Sequence, residues 1–407
     1  MLRERRNVES IHPKNKISAR HALVRPTGAV IGALLLLLFC GGLCPAQNQV
    51  PENKVVCDLE TGPDNPRNSE GAFLELRDGR LVFAYTRFYG GGEDNAGADI
   101  AAIYSSDSGL TWSKTPEIIV KNEAAENVMS VSLLRLADGR AALFYLRKNG
   151  LHDCRPYMRL STDEGKTWGA PILAIPAPGY FVVNNDRIVQ LHSGRLLVPA
   201  AYHRIKGEDN KDFKNFDPRA IVLFFLSDDG GQTWVESDTW WAIPMASRTG
   251  LQEPGLIELK DGTLFSWSRT DQGCQYGMTS ADGGKTWSSP RPTPFKSPNS
   301  PLSMKRIPST GDLLAVWNDH SGRFPFPQDH ALYGGRTPLV SAVSRDEGKT
   351  WEHFRQIEND PHSGYCYTAV DFKDKWVYLA YWLAESKSGR TVTRLRIRRA
   401  DLDWFYK

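Results

Sequence analysis

The chain has 407 residues, of which 41% are hydrophobic, 24% charged and 11% aromatic. This composition excludes an intrinsically disordered chain and is typical of a globular protein with a large core. Residues 1–46 contain seven basic and two acidic residues, which leaves 43 basic and 45 acidic residues in the remainder. The remainder therefore lacks the basic surface of nucleic-acid-binding domains, and we expect no nucleic acid partner.

The first 46 residues have the features of a leader. A basic stretch up to Arg25 precedes an apolar run at 29–40, and residues 44–46 (CPA) resemble a small-residue cleavage site. The run is shorter than the roughly 20 residues needed to span a bilayer. We predict a signal peptide at 1–46 and export to the periplasm or the extracellular space. The chain would be held at a membrane only if this segment stays uncleaved as a signal anchor.

Four cysteines follow the leader, and they define no metal site. Their spacing matches no zinc-binding pattern, and in an exported chain two disulfides would allow three pairings among Cys57, Cys154, Cys274 and Cys366. The sequence leaves the pairing open.

An eight-residue motif, Ser-x-Asp-x-Gly-x-Thr-Trp, recurs five times along the chain. The copies are SSDSGLTW (105–112), STDEGKTW (161–168), SDDGGQTW (227–234), SADGGKTW (280–287) and SRDEGKTW (344–351). Ser and Asp are residues that cap tight turns, Gly tolerates a positive φ, and Trp packs between strands. We interpret these Asp-boxes as structural turns, because a single active site cannot use five copies spread over one domain.

A second repeat, an apolar strand followed by a turn and another apolar strand, alternates with the Asp-boxes. Its six copies are LELRDGRLVFAY (74–85), LLRLADGRAALFY (133–145), IVQLHSGRLLVPAAY (188–202), LIELKDGTLFSWS (256–268), MKRIPSTGDLLAVW (304–317) and VDFKDKWVYLAYW (370–382). Such patterns predict β-hairpins. We therefore predict an all-β fold, a six-bladed β-propeller of four-stranded antiparallel blades with five Asp-box turns, forming one domain over 47–407.

The C-terminal strand in TRLRIRRADLDWFYK has no Asp-box after it. We expect it to share a sheet with a strand from the start of the mature chain, which would close the ring.

Hairpin geometry predicts which residues converge at one end of the blades, because residues equally far before and after a turn face each other. Glu253 and Arg269 flank the turn at Gly262 in this way. The same phase selects Glu70 with Arg87, Ser130 with Arg147, Asn185 with Tyr202 and His203, and Tyr367 before the sixth turn. One end of the ring is thus expected to present arginines, carboxylates and a tyrosine.

The Asp-boxes, the six hairpins and the segment NDRIVQLHSGRLLVPAAY resemble the sialidase (neuraminidase) superfamily over roughly residues 60–385. The resemblance implies a six-bladed propeller that removes terminal sialic acids from glycans. It also implies that Tyr367 is the nucleophile, with Tyr365 as a nearby competitor, and that Glu253 is the supporting glutamate. Asp94 would be the acid/base residue, with Glu93 and Asp99 as alternatives.

The same resemblance implies a triad of arginines that binds the carboxylate of the sugar. Arg269 and Arg336 occupy the positions of the second and third arginines. At the first position the usual Arg-Ile-Pro motif is replaced by PRNSEG, which offers Arg67 and places Glu70 close behind it. We also include Glu70 and Asp186 among the expected substrate-binding residues.

These residue types suit one chemistry. Guanidinium groups form paired, charge-assisted hydrogen bonds with a carboxylate, and a neutral tyrosine can approach an anionic reacting centre without charge repulsion. A nearby base must then accept the phenolic proton, and an acid must protonate the leaving oxygen. The sequence therefore predicts retaining hydrolysis of a sialylated or other acidic glycan, with no metal or cofactor.

Two alternatives stay open. One is a glycan-binding propeller without catalytic activity, and the other is a glycosidase acting on a different acidic sugar, which the PRNSEG segment favours. The sequence does not specify the glycosidic linkage or the oligomeric state.

Overall fold

The computed structural model describes residues 51–325, 332–387 and 390–407, so the predicted leader at 1–46 lies outside the described residues. The first strands along the chain are β1 (Asn53–Leu59), β2 (Asn68–Glu75), β3 (Leu81–Phe88), β4 (Ala98–Ser105), β5 (Glu117–Val120), β6 (Asn127–Arg135), β7 (Ala141–Gly150), β8 (Asp153–Ser161), β9 (Ile172–Leu173), β10 (Gly179–Val182), β11 (Val189–Gln190), β12 (Leu196–Ile205), β13 (Phe216–Ser227) and β14 (Val235–Glu236). The later strands are β15 (Gln252–Glu258), β16 (Leu264–Arg269), β17 (Cys274–Ser280), β18 (Arg291–Lys296), β19 (Ser303–Arg306), β20 (Leu313–Asn318), β21 (Leu339–Ser344), β22 (Glu352–Glu358), β23 (Ser363–Lys373), β24 (Trp376–Lys387) and β25 (Arg390–Asp401). Two 3₁₀ segments, Phe213–Asn215 and Leu332–Gly335, and the helix α1 (Leu402–Tyr406) complete the described secondary structure.

The described strands form five sheets, in which nearly all neighbouring strands are antiparallel. Four sheets have four strands each, with the orders β2-β3-β4-β5, β15-β16-β17-β18, β19-β20-β21-β22 and β1-β25-β24-β23. The strands from β6 to β14 belong to a single nine-stranded sheet. The all-β prediction and the four-stranded antiparallel sheets are confirmed.

The number of sheets differs from the six predicted blades, because β10 joins two hairpin units into one sheet. β10 pairs in parallel with β8, where Tyr180 faces Cys154, and antiparallel with β12, where Tyr180 faces His203. This short strand lies between two predicted blades, outside the hairpin and Asp-box repeats. The structure therefore contains five sheets in its described parts rather than six.

The sheets are arranged in a ring around a central axis. β2 contacts β6 and β23, and the pairs β12 and β15, β15 and β19, and β19 and β23 are also in contact. Asp186 N donates to Val131 O at 3.0 Å, and Arg187 N donates to Ser132 Oγ at 3.1 Å, which links β6 to the segment before β12. The fold is therefore an all-β propeller.

The ring closes through a sheet that contains both ends of the described chain. β1 pairs antiparallel with β25, from Asn53 opposite Ala400 to Leu59 opposite Leu395. The expected sharing of a sheet by an N-terminal and the C-terminal strand is confirmed.

The core lies between neighbouring sheets. β3 is buried at seven of its eight positions and β20 at all six, because each sheet is covered on both faces by the next ones around the ring. Leu74 and Val82 of one sheet pack with Leu133, Leu143 and Tyr145 of the next. This packing explains why the hairpins contain long apolar runs.

The Asp-boxes form capped turns, as predicted. In the second box the Asp163 carboxylate accepts hydrogen bonds from Ser161 Oγ at 2.8 Å, Thr167 N at 2.9 Å and Thr167 Oγ1 at 2.5 Å. Gly165 adopts a φ of 78°, and its N–H donates to Ser161 Oγ at 2.8 Å. Trp168 packs against a neighbouring core cluster.

All four described cysteines are free, so neither of the two possible disulfides forms. Among the described residues no helix has the length and apolar character needed to cross a bilayer.

We predict that Asp163→Ala lowers the melting temperature, because the turn loses the acceptor of three hydrogen bonds while its donors stay in place. Differential scanning fluorimetry measures the change. The exposed neighbour Thr162, which lies at a variable position of the motif, provides the control Thr162→Ala. Equal melting temperatures for both variants and the wild type would contradict the structural role of the box.

Candidate active site

A cavity of about 200 Å³ lies on one side of the ring, near the start of the innermost strands. Its polar lining consists of Glu70, Asp94, Ser130, Asn184, His203, Gln252, Glu253, Arg269 and Tyr367, and its apolar lining includes Met129, Leu146, Cys154, Tyr180, Val182 and Phe216. Acidic, basic and phenolic side chains from several sheets therefore meet in one place.

Four of these residues occupy the same unusual position in their strands. In β2 the residues Glu70 and Gly71 lie between the pairs Ser69–Thr86 and Ala72–Ala84, so two residues oppose one. The same register shift occurs at 130–131 in β6, at 253–254 in β15 and at 367–368 in β23. Each innermost strand of these sheets therefore contains a β-bulge at the cavity.

The first residue of each bulge has a left-handed backbone. Glu70, Ser130, Glu253 and Tyr367 have φ values of 54°, 61°, 46° and 58°. Residues other than glycine pay about 1–3 kcal/mol for such a conformation, and bulges reorient side chains beside functional sites. The bulge changes the direction of one side chain per strand, and all four of these side chains line the cavity.

Glu253 and Arg269 form an ion pair at the end of the β15–β16 hairpin. Arg269 Nη1 lies 3.0 Å from Glu253 Oε2, and Arg269 Nε donates to Gln252 Oε1 at 3.1 Å. Both side chains are nearly buried. Among the described residues, Glu253 Oε2 and Arg269 Nη1 have no well-oriented hydrogen-bond partner, so each retains bonding capacity toward a ligand.

Arg336 lies against Tyr367. Its Cζ is 5.3 Å from the centroid of the Tyr367 ring, and its Nη1 donates to Cys366 Sγ at 3.0 Å. The backbone of Arg336 is tied to the same strand, because Tyr365 N donates to Arg336 O at 2.7 Å. Burial and then the charge of Glu253 raise the pKa of the Tyr367 phenol, which is therefore neutral in the unliganded site.

Arg67 connects two carboxylates at the edge of the cavity. Its Nη1 lies 2.5 Å from Asp94 Oδ1, and its Nη2 lies 3.4 Å from Glu70 Oε1. Its Cζ is 4.5 Å from the centroid of the Phe88 ring. Partial desolvation beside the cavity acts to raise the pKa of Asp94, whose side chain is nevertheless 66% exposed, but the Arg67 guanidinium outweighs it, and the pKa is held below its usual value. Asp94 is thus an ionised carboxylate paired with Arg67.

Glu70 is the second carboxyl group that pairs with Arg67. Its Oε2 accepts a short hydrogen bond from Ser130 Oγ. Burial is the main cause that raises the pKa of Glu70 to about 7, and the nearby charges of Asp94 and Glu253 act in the same direction. Arg67 and Ser130 oppose this rise but do not cancel it.

The structure separates the alternatives that the sequence left open. The Tyr365 ring packs in a hydrophobic core cluster, 6.1 Å from Tyr381, and Tyr365 does not line the cavity. Asp99 accepts a hydrogen bond from Asn122 N at 2.8 Å within its own blade, and Glu93 is exposed. Tyr367 and Asp94 are the members of these sets that line the cavity.

Asp186 does not join the other predicted residues. Its Oδ1 accepts from Lys305 Nζ at 2.7 Å and its Oδ2 from Val370 N at 3.0 Å. Asp186 lines a different cavity, and its neighbour Asn185 bonds instead to the carbonyl groups of Gly71 and Tyr367. The structure thus places Asp186 in a contact between blades and not at this cavity, and its substrate-binding role stays a prediction.

One wall of the cavity was not predicted. Tyr180 and Phe216 pack against His203, with ring centroids 6.1 and 4.6 Å from the imidazole. Burial lowers the pKa of His203 to about 4, and its Nδ1 lies 3.0 Å from Asp217 O, so the ring is neutral. His203 had the hairpin phase as a signal, but Tyr180 and Phe216 come from segments outside the hairpin repeat.

No group of three or more His, Cys, Asp or Glu side chains is arranged to hold a metal ion in the described parts of the chain.

Comparison with known proteins identifies the family. Residues 79–375 match the profile of the BNR repeat-like domain. The chain belongs to this family. It is 29% identical over 308 residues to the anhydrosialidase of Macrobdella decora, which covers 69% of this chain and 35% of that protein. It is 23% identical over 313 residues to the sialidase of Bacteroides fragilis, which covers 68% of this chain and 52% of that protein.

The chain therefore spans about a third to a half of the length of these curated relatives. A solved structure of Trypanosoma rangeli sialidase in complex with 2,3-difluorosialic acid, described as a covalent intermediate, superposes with a TM-score of 0.62 at 17% identity. That match covers 87% of this chain and 59% of the other and shows a common fold. The resemblance to the sialidase superfamily is confirmed at the level of family and fold.

We predict that Glu70→Gln stabilises the protein at pH 8 and has little effect near pH 4. Glu70 has a pKa of about 7 in the folded state and an ordinary value of 4.5, so the folded state binds more protons between these values. Wild-type stability is therefore reduced as the pH rises through this window, and glutamine removes that loss. Thermal unfolding across pH measures the difference.

The matched control is Glu93→Gln, which neutralises an exposed carboxylate in the same part of the structure. A Glu70→Gln variant with a melting temperature at or below the wild type at pH 8 would contradict the assigned protonation of Glu70.

Proposed function

We propose that this protein is an exo-α-sialidase that hydrolyses terminal sialic acid, or a related nonulosonic acid, from glycans with retention of configuration. The observation that carries the proposal is the convergence of Tyr367, Glu253 and Arg269 with Asp94, which is paired with Arg67, at one cavity of about 200 Å³. The two curated relatives, named an anhydrosialidase and a sialidase, support the same class of activity.

Three arginines that are distant in sequence are suited to bind the carboxylate of the sugar. Arg336 lies against the Tyr367 ring, Arg269 pairs with Glu253, and Arg67 pairs with Glu70 and Asp94. Planar guanidinium groups bind carboxylates through paired, charge-assisted hydrogen bonds, and such bonds are strong where water is excluded. Arg269 Nη1, which has no well-oriented acceptor among the described residues, supplies one of these donors.

Tyr367 is the proposed nucleophile and Glu253 its base. The carbon attacked in a sialoside carries a carboxylate, so a neutral phenol meets less repulsion than a carboxylate nucleophile would. The raised pKa keeps the phenol protonated until it reacts, and a base must then take its proton. Glu253 acts on Tyr367 electrostatically and has an oxygen without a well-oriented partner among the described residues.

Asp94 is the proposed acid/base residue, although it is ionised and paired with Arg67 in the unliganded site. An incoming carboxylate would compete for Arg67 and break this pair. Asp94 would then lose the charge that stabilises its ionised form and could bind the proton that it donates. Binding of the substrate carboxylate to Arg67 would thus favour the protonated form of Asp94.

The reaction follows in two steps. In the first, the Tyr367 oxygen bonds to the anomeric carbon, Glu253 takes the phenolic proton, and Asp94 protonates the departing glycosidic oxygen. In the second, Asp94 removes a proton from water, and the water oxygen bonds to the anomeric carbon. The bond between that carbon and the Tyr367 oxygen breaks, and the phenolate takes back the proton held by Glu253. Two inversions give net retention, and tyrosine nucleophiles are the known sialidase exception to two-carboxylate chemistry.

We further infer that the propeller has six blades and that the nine-stranded sheet counts as two of them. This sheet contains two hairpin units, β6–β8 and β12–β14, with β10 between them. Export of the chain through the segment at 1–46 also stays a proposal, supported by its apolar run.

The proposal is tested with purified protein and a 4-methylumbelliferyl α-sialoside. Fluorophore release, with the α-anomer of the free sugar as the first product in NMR spectra, supports retaining hydrolysis. Release of a 2,7-anhydro sugar would show that a hydroxyl of the substrate replaces water. Binding of the sugar without cleavage would indicate a glycan-binding propeller. Turnover of other acidic glycosides alone would indicate a different substrate.

We predict that Arg269→Ala and Arg336→Ala each lower kcat/KM at least roughly tenfold, because a charge-assisted hydrogen bond contributes about 1.5–3 kcal/mol. Steady-state kinetics on the aryl sialoside measures the effect. Arg140→Ala is the matched control, because Arg140 pairs with Asp138 in a hairpin turn. A variant with wild-type kcat/KM would remove that arginine from the carboxylate site.

We predict that a 3-fluoro-sialosyl fluoride forms one covalent adduct on Tyr367. Fluorine beside the anomeric carbon slows both steps, while the fluoride leaving group favours the first, so the intermediate accumulates. Intact-mass and peptide mass spectrometry locate the label, and Tyr367→Phe should abolish it. Label on Tyr365, Glu253 or Asp94 would assign the nucleophile differently.

A further inference from the structure

Lys148 of β7 is a fully buried lysine beside the cavity. Its Nζ donates to the backbone carbonyl of Asp94 at 3.0 Å. Its carboxylate neighbour is Glu126, whose Oε2 is 3.7 Å away and has no hydrogen-bond partner among the described residues. The rings of Tyr180 and Phe213 lie 5.4 and 5.3 Å from Nζ. The shortest of these contacts is therefore the one to Asp94.

A second donor reaches the same carbonyl. Asn127 of β6 faces Lys148 in the register, and its Nδ2 donates to Asp94 O at 2.9 Å and to Ala96 O at 2.8 Å. Both donors belong to the sheet next to the one that carries Asp94. The neighbouring sheet therefore anchors the connection between β3 and β4 at the residue proposed as acid/base.

Apart from this anchor, the connection is held by main-chain bonds from Tyr89 N to Gly97 O at 2.8 Å and from Ala96 N to Glu93 O at 3.0 Å, and by Arg67 Nη1, which donates to Gly92 O at 3.3 Å. Three consecutive glycines, 90–92, precede Asp94, and the Asp94 side chain is 66% exposed. Its one side-chain ion pair in the described structure is with Arg67. If the carboxylate of the substrate takes Arg67, the carbonyl contacts to Lys148 and Asn127 still hold Asp94 in place.

A buried ammonium is costly unless it is well paired, and an apolar side chain of similar size would generally suit such a position better. A role in positioning a reacting group would explain why a buried ammonium group occupies this position. We propose that Lys148 is a positioning residue. Through its contact with the Asp94 carbonyl, it holds the Asp94 carboxyl group at the leaving-group oxygen. This inference rests on the proposed function.

The proposal is tested with Lys148→Met and two substrates that differ in their need for an acid. An aryl oxide leaves the 4-methylumbelliferyl sialoside readily, whereas the lactose alkoxide of 3′-sialyllactose leaves only when protonated. General acid catalysis contributes about 10²–10⁴-fold, so partial displacement of Asp94 should lower kcat/KM on sialyllactose at least roughly tenfold more than on the aryl sialoside. Equal losses on both substrates would indicate a merely structural role and overturn the proposal.

Hydrogen exchange of the full-length protein provides a readout that does not depend on activity. Peptides covering residues 89–97 should exchange faster in Lys148→Met than in the wild type, while peptides from β15–β18 stay unchanged. Asn127→Ala keeps the lysine and removes the second donor, so it should shift exchange in the same direction even if Lys148→Met fails to fold. Lys166→Met, at an exposed position of the second Asp-box, is the control that should leave kinetics and exchange unaltered.

Wild-type exchange at 89–97 in the folded variants overturns the anchoring role, whatever the substrate. A wild-type protein that cleaves neither sialoside overturns the proposed function instead. In that case the exchange comparison alone decides whether Lys148 and Asn127 hold the Asp94 segment.

Discussion

The left-handed backbone at four equivalent bulges is the constraint on which the candidate site depends. A regular strand alternates its side chains between two faces, and in a propeller both faces of a blade are buried against neighbours. At Glu70, Ser130, Glu253 and Tyr367 the bulge interrupts this alternation, and the four side chains meet at one cavity. The strain is sustained because the antiparallel ladder that follows each bulge holds the register, with four pairs from Ala72 to Glu75 in β2 and five from Ala369 to Lys373 in β23.

Charge compensation is the second feature of the site. Arg67 is balanced by Asp94 and Glu70, and Arg269 is balanced by Glu253. Buried charges without partners would be strongly destabilising, so the unliganded cavity contains its own counter-ions. An anionic ligand must exchange with one of these carboxylates. Asp94 is the most exposed of them, and its main chain is held independently of its side chain by Lys148 and Asn127.

The repeats made much of this architecture predictable. Five Asp-boxes and six hairpins indicate an all-β ring, because the turn residues and apolar strands recur along the chain, with Asp-boxes starting 53 to 66 residues apart. Counting from the turn glycines also placed Glu70, Ser130 and Glu253 at one phase, and those residues share the bulge position. Local periodicity is visible in a single sequence, so these features required no knowledge of distant contacts.

The hairpins, the capped turns and the residue types available to the site were predictable from the amino-acid sequence. Which of these residues meet depends on how the blades pack in the folded chain. Asp186 shares the hairpin pattern but pairs with Lys305, and β10 joins two sheets. The contacts of Lys148 and Asn127 with the Asp94 carbonyl join adjacent blades, and Tyr180 and Phe216 come from outside the repeat. The physical reason is that packing between blades depends on side chains distant in sequence, whose contacts leave no periodic signal.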